Sequence, residues 1–399
     1  MAIDVEAVRR QTRGVLSVTH LNNAGSSLAP GPVLDTVVGH LRREEEIGGY
    51  EAAEEAADRL EDVYSSVARL IGARPNEIAL AESGSRAWAM AVYSFPFVPR
   101  TRLLIGSTEY AGNVIALRQL ARRNDLQIVL LDDDLHGQVD VEHLQRELDR
   151  GNVAMVALTH VPMANGLVNP AAEVGRRCRA AGVMFVLDAC QSVGQMPLDV
   201  QSLGCDVLAG TGRKFLRGPR GTAFLYVRAS VLERLEPAML DGHSAVPTGA
   251  GGLEVRGDAR RFESWESSAA GRLGLGRAVD YALALGLDAV QERVAGLAEQ
   301  LRAELAAVPA VTVHDRGIIR CGIVTFSVKG NDARNIRTRL AERRINVSVA
   351  PLPFAQADSA PTGTREGPDV VVRASVHYYN TETEIQRLVG FLRGSSSGT

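Results

Sequence analysis

The stretch from Val183 to Val227 reads VMFVLDACQSVGQMPLDVQSLGCDVLAGTGRKFLRGPRGTAFLYV. It contains three apolar runs short enough to be buried strands, at 183–187, 207–208 and 222–227. The first run is followed by Asp188, and the second leads into Arg213 and Lys214. Because open α/β sheets build their binding sites at strand ends, these polar residues mark a candidate site.

An aspartate and an isolated lysine at such strand ends favour a pyridoxal phosphate (PLP) site. A lysine amine forms a Schiff base with the PLP aldehyde, and an aspartate keeps the pyridine nitrogen protonated. Cations and backbone amides hold the phosphate. The chain has only one lysine besides Lys214, namely Lys329. Taken singly, Asp188 could cap a turn and Lys214 could lie on a surface loop, but together they favour the site.

The same stretch resembles the class V aminotransferase family, in the branch that holds cysteine desulfurases, selenocysteine lyases and isopenicillin epimerases. The family motifs D-x-x-Q, S-G-H-K and G-P-x-G correspond to 188–191, 211–214 and 218–221. The similarity covers nearly the whole chain. It implies an α/β, fold type I PLP-dependent enzyme with a central, mostly parallel seven-stranded sheet.

Three domains are expected on this basis. They are an N-terminal active-site segment (1–30), a large PLP-binding domain (31–265) and a small C-terminal domain (266–399). The strand and helix pattern of the last part is typical of an α+β unit.

The resemblance also implies roles around the cofactor. Lys214 is the Schiff-base lysine, Asp188 pairs with the ring nitrogen, and Gln191 lies near the ring 3-hydroxyl. Thr211 and Arg213 occupy the serine and histidine positions that touch the phosphate. An arginine there keeps a hydrogen-bond donor and adds a permanent charge.

A further phosphate contact is expected at 83–86, a Ser-Gly-Ser-Arg turn before a predicted helix. Free amides at a helix N-terminus bind anions, and the family has its phosphate loop here, which implicates Ser85 and Arg86. After the next predicted strand the family places an aromatic or histidine against the ring face. Tyr110 can stack there and could also serve as an acid; the alternative is a core tyrosine at a strand end.

Two segments resemble the substrate side of the family's site. The Leu-Asn-Asn-Ala sequence at 21–24 resembles an N-terminal segment that lines the active site, which points to Asn23 and Ala24. The alternative is a plain loop that caps the next helix. Arg373, inside the apolar run 370–376, corresponds to the arginine that holds the substrate α-carboxylate, for which a guanidinium fork is well suited.

Two further family motifs are altered. Met163 stands where the family has the asparagine of H-V-x-N, which touches the ring hydroxyl. Asn165 could reach the ring through a shifted turn, or Gln191 could act alone. The segment 261–266 resembles the one that crosses the family's dimer to the partner's phosphate, with Glu266 in place of threonine. A homodimer is therefore expected.

Composition excludes several classes of function. The formal net charge of −3 favours neither a nucleic-acid partner nor an anionic membrane. No apolar run approaches the roughly 18 residues of a membrane-spanning helix, and the N-terminus lacks the apolar region of a signal peptide. The four cysteines show no metal-like C-x-x-C spacing, so no metal is expected. These features predict a cytoplasmic protein, and the family resemblance implies an enzyme that acts on a small amino acid substrate.

The choice of reaction depends on an absence. Cysteine desulfurases carry a nucleophilic cysteine on the loop before the carboxylate-binding arginine, and the corresponding stretch here, 350–369, has no cysteine. A β-elimination that expels sulfur from Cβ needs no such thiol, and Lys214 would be its base. The segment 44–57, EEEIGGYEAAEEAA, resembles the sulfoxide lyase of ergothioneine biosynthesis.

The sequence therefore predicts a C–S lyase that acts on a cysteine S-conjugate or its sulfoxide. The products would be a thiol or sulfenate, pyruvate and ammonia, in ergothioneine or lincosamide-type biosynthesis. Epimerisation, decarboxylating oxidative deamination and transamination are the alternatives within PLP chemistry. A non-catalytic PLP-binding regulator would need a DNA-reading module, for which the sequence has no spare segment.

Overall fold

The computed structural model describes residues 3–352 and 368–395. The α-helices of this part of the chain are α1 (Val5–Arg10), α2 (Gly31–Ile47), α3 (Gly49–Glu55), α4 (Ala57–Ile71), α5 (Gly84–Tyr93), α6 (Ala111–Asn124), α7 (Val141–Asp149), α8 (Ala171–Ala181), α9 (Val200–Leu203), α10 (Ala269–Leu285), α11 (Leu287–Ala306), α12 (Ala333–Glu342) and α13 (Glu382–Ser395). Its strands are β1 (Thr19–His20), β2 (Ile78–Ala81), β3 (Arg102–Gly106), β4 (Gln127–Leu131), β5 (Val153–Thr159), β6 (Met184–Asp188), β7 (Val207–Thr211), β8 (Ala223–Val227), β9 (Ala245–Pro247), β10 (Leu253–Val255), β11 (Val311–Val313), β12 (Ile323–Val328), β13 (Ile345–Asn346), β14 (Ser348–Pro351) and β15 (Val370–Ser375).

A seven-stranded sheet forms the centre of the larger part of the molecule. Its strand order is β2-β8-β7-β6-β5-β3-β4. Strand β8 runs antiparallel to both of its neighbours, and the remaining pairs are parallel. The predicted α/β class and the mostly parallel seven-stranded sheet are therefore confirmed.

Helices cover both faces of this sheet, which explains why its strands are continuously apolar. In β6, Phe185 and Leu187 join a core shared with α4, α8 and α10. Met184 and Val186 point to the other face and pack with α5 and α6. Alternating residues of one strand thus enter two separate cores.

A four-stranded antiparallel sheet, β11-β12-β15-β14, organises the C-terminal part. Apolar residues of α11, α12 and α13 complete its core. The N-terminal segment joins this part, because β1 pairs in parallel with β13 and Leu21 lies in the same core. Helix α10, by contrast, packs into the core of the large sheet. The domain division at 30/31 and 265/266 stays a prediction.

Helical spacing over 269–305 predicts one helix, but the structure has two. They meet at Gly286, which has a φ of 82°, a conformation that residues with a side chain rarely adopt. No helix within the described ranges combines the length and apolar character needed to cross a membrane.

Candidate active site

A cavity of about 230 Å³ lies where β5, β6 and β7 end. The last residues of these three strands, Thr159, Asp188 and Thr211, all line it. Parallel strands bring their carboxyl ends to one edge of a sheet, the usual ligand-binding edge of open α/β folds. The complete lining is Ala24, Gly25, Ser83, Gly84, Ser85, Tyr110, Thr159, Val161, Met163, Asp188, Cys190, Gln191, Thr211, Arg213, Lys214 and Arg373.

Most of the site residues predicted from sequence meet in this cavity. Those in the lining are Ala24, Ser85, Tyr110, Asp188, Gln191, Thr211, Arg213, Lys214 and Arg373. Asn23 and Arg86 are absent from it. Residues separated by up to 350 positions are thus brought together, as the motif assignment requires.

Lys214 follows β7 in a largely buried environment that contains charged groups of both signs. Burial lowers the pKa of the Lys214 amine, and the positive charges of Arg213 and Arg373 lower this pKa further. Cys190 and Asp188 act in the opposite direction. A lowered pKa increases the fraction of neutral amine, which is the form that acts as nucleophile or base.

Asp188 is held in one orientation by two hydrogen bonds. Its Oδ1 accepts the backbone N–H of Cys190 at 2.9 Å. Its Oδ2 accepts a bond from Asn113 Nδ2, also at 2.9 Å. The side chain is buried, so this carboxyl group has a fixed position at the end of β6.

The first turn of α5 forms another wall of the cavity. Ser83 is the N-cap residue, and its Oγ accepts the N–H of Arg86 at 3.2 Å. A Cβ at Gly84 would lie 2.2 Å from Cys190 Sγ, so any larger residue would have to displace that thiol. The helix N-terminus therefore approaches the cavity closely, while the Arg86 residue is exposed.

Arg213 links the lysine turn to the N-terminal segment. Its Nη1 donates to the carbonyl oxygen of Gly25. The N–H of Ser27 donates to the Arg213 carbonyl oxygen at 2.9 Å. Gly25 and Arg213 both line the cavity, so this contact closes one side of it.

Tyr110 lies at the mouth of the cavity as the N-cap residue of α6. Tyr110 is 38% exposed. A Cβ at Gly112 would lie 2.7 Å from the Tyr110 ring, so this glycine leaves room for the ring over the first turn of the helix. An aromatic face at the mouth is suited to covering a flat ring.

Arg373 projects from β15 and connects the two parts of the molecule. Its Nε donates to Ser348 Oγ at 2.9 Å, and its Nη1 donates to the Met163 carbonyl oxygen at 3.0 Å. Burial, with the positive charge of Arg213, lowers the pKa of Arg373 to about 10. No carboxylate of the described residues pairs with Arg373, so its charge is available to an acidic ligand group.

The two N-terminal candidates have different positions. Ala24 lines the cavity, and its carbonyl oxygen accepts a bond from Gln191 Nε2 at 3.2 Å. Asn23 is buried behind it, donating to the Ser375 carbonyl oxygen at 2.7 Å and accepting from Tyr379 Oη at 2.5 Å. Asn23 therefore holds the segment in place, while Ala24 forms the surface.

At the altered H-V-x-N motif, Met163 lines the cavity and Asn165 does not. Asn165 has a φ of 63°, and its carbonyl oxygen accepts the N–H of Arg316 at 2.8 Å. Gln191 is thus the amide side chain in the lining. Its Oε1 is buried without a hydrogen-bond partner in the described part of the chain.

Sequence reasoning missed three groups beside the cavity. Glu109 and Asn113, four residues apart at the start of α6, form a buried hydrogen bond of 2.7 Å. Cys190 lies in the lining, and burial raises the pKa of its thiol well above the ordinary value, which disfavours the reactive thiolate. For Glu109 and Asn113, the i, i+4 spacing at the start of the helix was the sequence feature that could have indicated their contact.

Arg217, also missed, holds the turn that carries Lys214. It is 1% exposed and has a φ of 62°. Its guanidinium donates to the Leu28 carbonyl oxygen at 2.8 Å, to Tyr378 Oη at 2.9 Å and to Thr12 Oγ1 at 2.6 Å. One side chain therefore connects the lysine turn, the N-terminal segment and the C-terminal part.

Comparison with known proteins gives a consistent family assignment. The family model "Aminotransferase class-V" matches residues 19–388. A probable cysteine desulfurase of Methanothermobacter thermautotrophicus is 27% identical over 387 residues, 96% of either chain. A cysteine desulfurase of Dickeya dadantii is 29% identical over 94% of this chain and 91% of its own.

Solved structures share the fold. A cysteine desulfurase of Thermococcus onnurineus has a TM-score of 0.90 at 24% identity, covering 100% of this chain and 99% of its own. The cystine C–S lyase C-DES, in complex with its reaction product cysteine persulfide, has a TM-score of 0.85 at 23% identity. That match covers 96% of this chain and 99% of the lyase.

Proposed function

Because the chain belongs to the class V aminotransferase family and is a PLP-dependent enzyme, we propose that it is a C–S lyase. It catalyses β-elimination on a cysteine S-conjugate or the corresponding sulfoxide and releases a thiol or sulfenate, pyruvate and ammonia. One combination carries this proposal: Lys214 and Arg373 line the same cavity, while the stretch 350–369 contains no cysteine. Residues 353–367 of that stretch lie outside the described part of the chain.

The residues present fit PLP. Lys214 supplies the amine and Asp188 the carboxylate for the ring nitrogen, while Ser85, Thr211 and Arg213 supply donors for the phosphate. The unpartnered Oε1 of Gln191 could accept a hydrogen bond from the 3-hydroxyl. The cofactor, when bound, acts as an electron sink for bonds to Cα.

The chain's own side chains would divide the remaining tasks. Arg373 would hold the substrate α-carboxylate through its guanidinium fork, as its lack of a carboxylate partner suggests. Lys214, with its lowered pKa, would take the proton from Cα as the neutral amine. The Cβ–S bond then breaks, sulfur leaves with the electron pair, and the released 2-aminoacrylate hydrolyses to pyruvate and ammonia.

The apolar part of the cavity wall suits a neutral substrate side chain. Val161, Met163 and Ala24 contribute apolar surface, and Asp188 is the only carboxylate in the lining among the described residues. A thioether or sulfoxide conjugate meets this condition. The likeness of 44–57 to the ergothioneine sulfoxide lyase adds hercynylcysteine sulfoxide to the substrates to be tested, together with lincosamide-type thiol conjugates.

Incubating the purified enzyme with a panel of cysteine S-conjugates and sulfoxides tests the proposal. Pyruvate formed in equal amount to the released thiol supports the lyase. A substrate-derived keto acid would indicate transamination, inversion at Cα would indicate epimerisation, and CO₂ with an aldehyde would indicate oxidative deamination. Sulfide or persulfide formed from free cysteine, without pyruvate, would contradict the lyase and favour desulfuration.

We also propose a cytoplasmic homodimer. The backbone N–H of Trp265 donates to Asp241 Oδ2 at 2.7 Å, which places this 66% exposed tryptophan beside the base of the β9–β10 hairpin. Val246 and Leu253 of that hairpin are also exposed. Exposed apolar side chains in one region are typical of a protein interface. Sedimentation of the wild type and of Trp265→Arg tests this: a monomeric wild type contradicts the dimer.

A further inference from the structure

Glu109 is a buried carboxyl group beside the cavity to which the proposed reaction assigns no task. It is 3% exposed. Its Oε1 accepts hydrogen bonds from Thr159 Oγ1 at 2.6 Å, from Asn113 Nδ2 at 2.7 Å and from the Tyr110 N–H at 3.2 Å. Its Oε2 is buried without a partner in the described part of the chain.

A single amide group connects Glu109 to Asp188. The Nδ2 of Asn113 lies 2.7 Å from Glu109 Oε1 and 2.9 Å from Asp188 Oδ2. A primary amide has two N–H bonds, so both are used, one for each carboxyl group. A change of charge on Glu109 therefore alters the potential at Asp188 and the strength of the hydrogen bonds that this amide donates.

We propose that Glu109 is a positioning residue that acts through Asn113 on Asp188. It orients the Asp188 carboxylate and, when ionised, strengthens the hold of Asp188 on the proton of the cofactor's ring nitrogen. This inference rests on the proposed placement of that nitrogen at Asp188.

The surroundings of Glu109 cause its charge to change near neutral pH. Burial raises the pKa of Glu109 to about 7; the hydrogen bonds from Thr159 and Asn113 oppose the increase, and the charge of Asp188 adds to it. The titratable group that faces it from a neighbouring element is Asp188, at the end of β6. Ionised Glu109 should therefore strengthen the hold of Asp188 on the ring-nitrogen proton above pH 7. Well below pH 7, where Glu109 is protonated, this effect should be absent.

The test compares binding of PLP with binding of its analogue in which a CH group replaces the ring nitrogen. The ratio of the two dissociation constants, measured on the full-length cofactor-free protein, isolates the contribution of that nitrogen. We expect Glu109→Gln, which keeps the shape and an acceptor oxygen, to reduce the preference for PLP roughly 3- to 30-fold at about pH 8, which lies within the range seen for coupled neighbours. At about pH 6 the ratio should match the wild type.

Two further variants separate this role from general structural support. Glu77→Gln removes another buried carboxyl group, which binds the Arg74 and Ala229 N–H groups far from the lining, and should leave the ratio unchanged. In a protein that already carries Asn113→Ala, the link to Asp188 is absent, so Glu109→Gln should not change the ratio further. If Glu109→Gln does not fold, Thr159→Val provides a second test, because it removes a donor that lowers the pKa of Glu109. In Thr159→Val the preference for PLP should therefore increase with pH at a higher pH than in the wild type.

The outcomes distinguish a wrong placement of the ring nitrogen from a wrong role for Glu109. A wild-type protein without preference for PLP over the analogue overturns the placement of the ring nitrogen at Asp188 and the role of Glu109 with it. A wild-type preference that Glu109→Gln leaves intact at both pH values overturns the role of Glu109 alone. Neither result depends on which sulfur compound is the substrate.

Discussion

At the scale of single residues, the chain offers an unusually clear control for its candidate catalytic lysine. It contains two lysines, Lys214 in the cavity and the exposed Lys329. Lys214→Ala should lose covalently held cofactor and reduce the elimination rate by at least about 100-fold, because base catalysis alone contributes that much. Lys329→Ala should behave as the wild type. Borohydride reduction followed by peptide mapping checks this: labelling at position 329 would refute the assignment.

A second residue-scale prediction concerns Arg373. Arg373→Lys keeps the positive charge but loses the fork that binds a carboxylate through two bonds. We expect kcat/KM to fall about 10- to 100-fold, corresponding to roughly 1.5–3 kcal/mol for a charge-assisted hydrogen bond. Binding of an amine analogue without the α-carboxylate should be the same for both proteins. Equal losses for substrate and analogue would mean that Arg373 does not hold the carboxylate.

Glu109 should also make the stability of the cofactor-free protein depend on pH. Its pKa rises from 4.5 to about 7 on folding, so the folded state binds the proton more tightly. This contribution to stability is complete below about pH 4.5 and is lost as the pH rises to about 7, amounting to at most about 3 kcal/mol. Urea unfolding across this range should show a decrease that Glu109→Gln lacks. An identical pH profile for the two proteins would contradict it.

At the scale of secondary structure, the close approach of α5 to β6 is the feature most open to test. A methyl group at position 84 would meet the Cys190 thiol at 2.2 Å. Gly84→Ala should therefore weaken PLP binding and destabilise the fold by about 1–3 kcal/mol, the usual cost of overpacking. Because Thr211 Cβ is farther away, at 3.5 Å, the additional change Cys190→Ala should restore most of the binding. Failure of this rescue would show that another contact is limiting.

At the scale of the whole molecule, the site depends on a junction between distant parts of the chain. Arg217 joins the lysine turn to Thr12, Leu28 and Tyr378, and its guanidinium lies 4.4 Å from the centroid of the Tyr379 ring. The junction fixes the lysine turn relative to β15, the strand that carries Arg373.

Arg217→Met should fill similar space but leave these buried acceptors without a donor. We expect a loss of stability of about 3 kcal/mol or more, together with faster proteolysis of the N-terminal segment. Arg217→Lys, which retains one charged donor, should be intermediate. Urea denaturation and limited proteolysis measure the two effects. Unchanged stability in Arg217→Met would mean that the junction is held by other contacts.

The sequence by itself determined the fold class and most of the cavity lining. Its continuous apolar runs end in polar residues, so strand ends and chemistry coincide along the chain, as at Asp188 and Thr211. The resemblance to the family motifs pointed to Lys214 and Arg373, and both residues line the cavity. These features are local, and local patterns can be read without knowing which strands become neighbours.

Only the tertiary structure decided which side chains act behind that lining. Glu109 and Asn113 are four residues apart, but their link to Asp188 exists because α6 packs against the end of β6. Arg217 resembles a surface residue in sequence, yet contacts 205 positions apart bury it. Packing also decided that Asn23 lies behind the cavity, while Met163 forms part of its wall. Such contacts are long-range consequences of packing, and no local pattern encodes them.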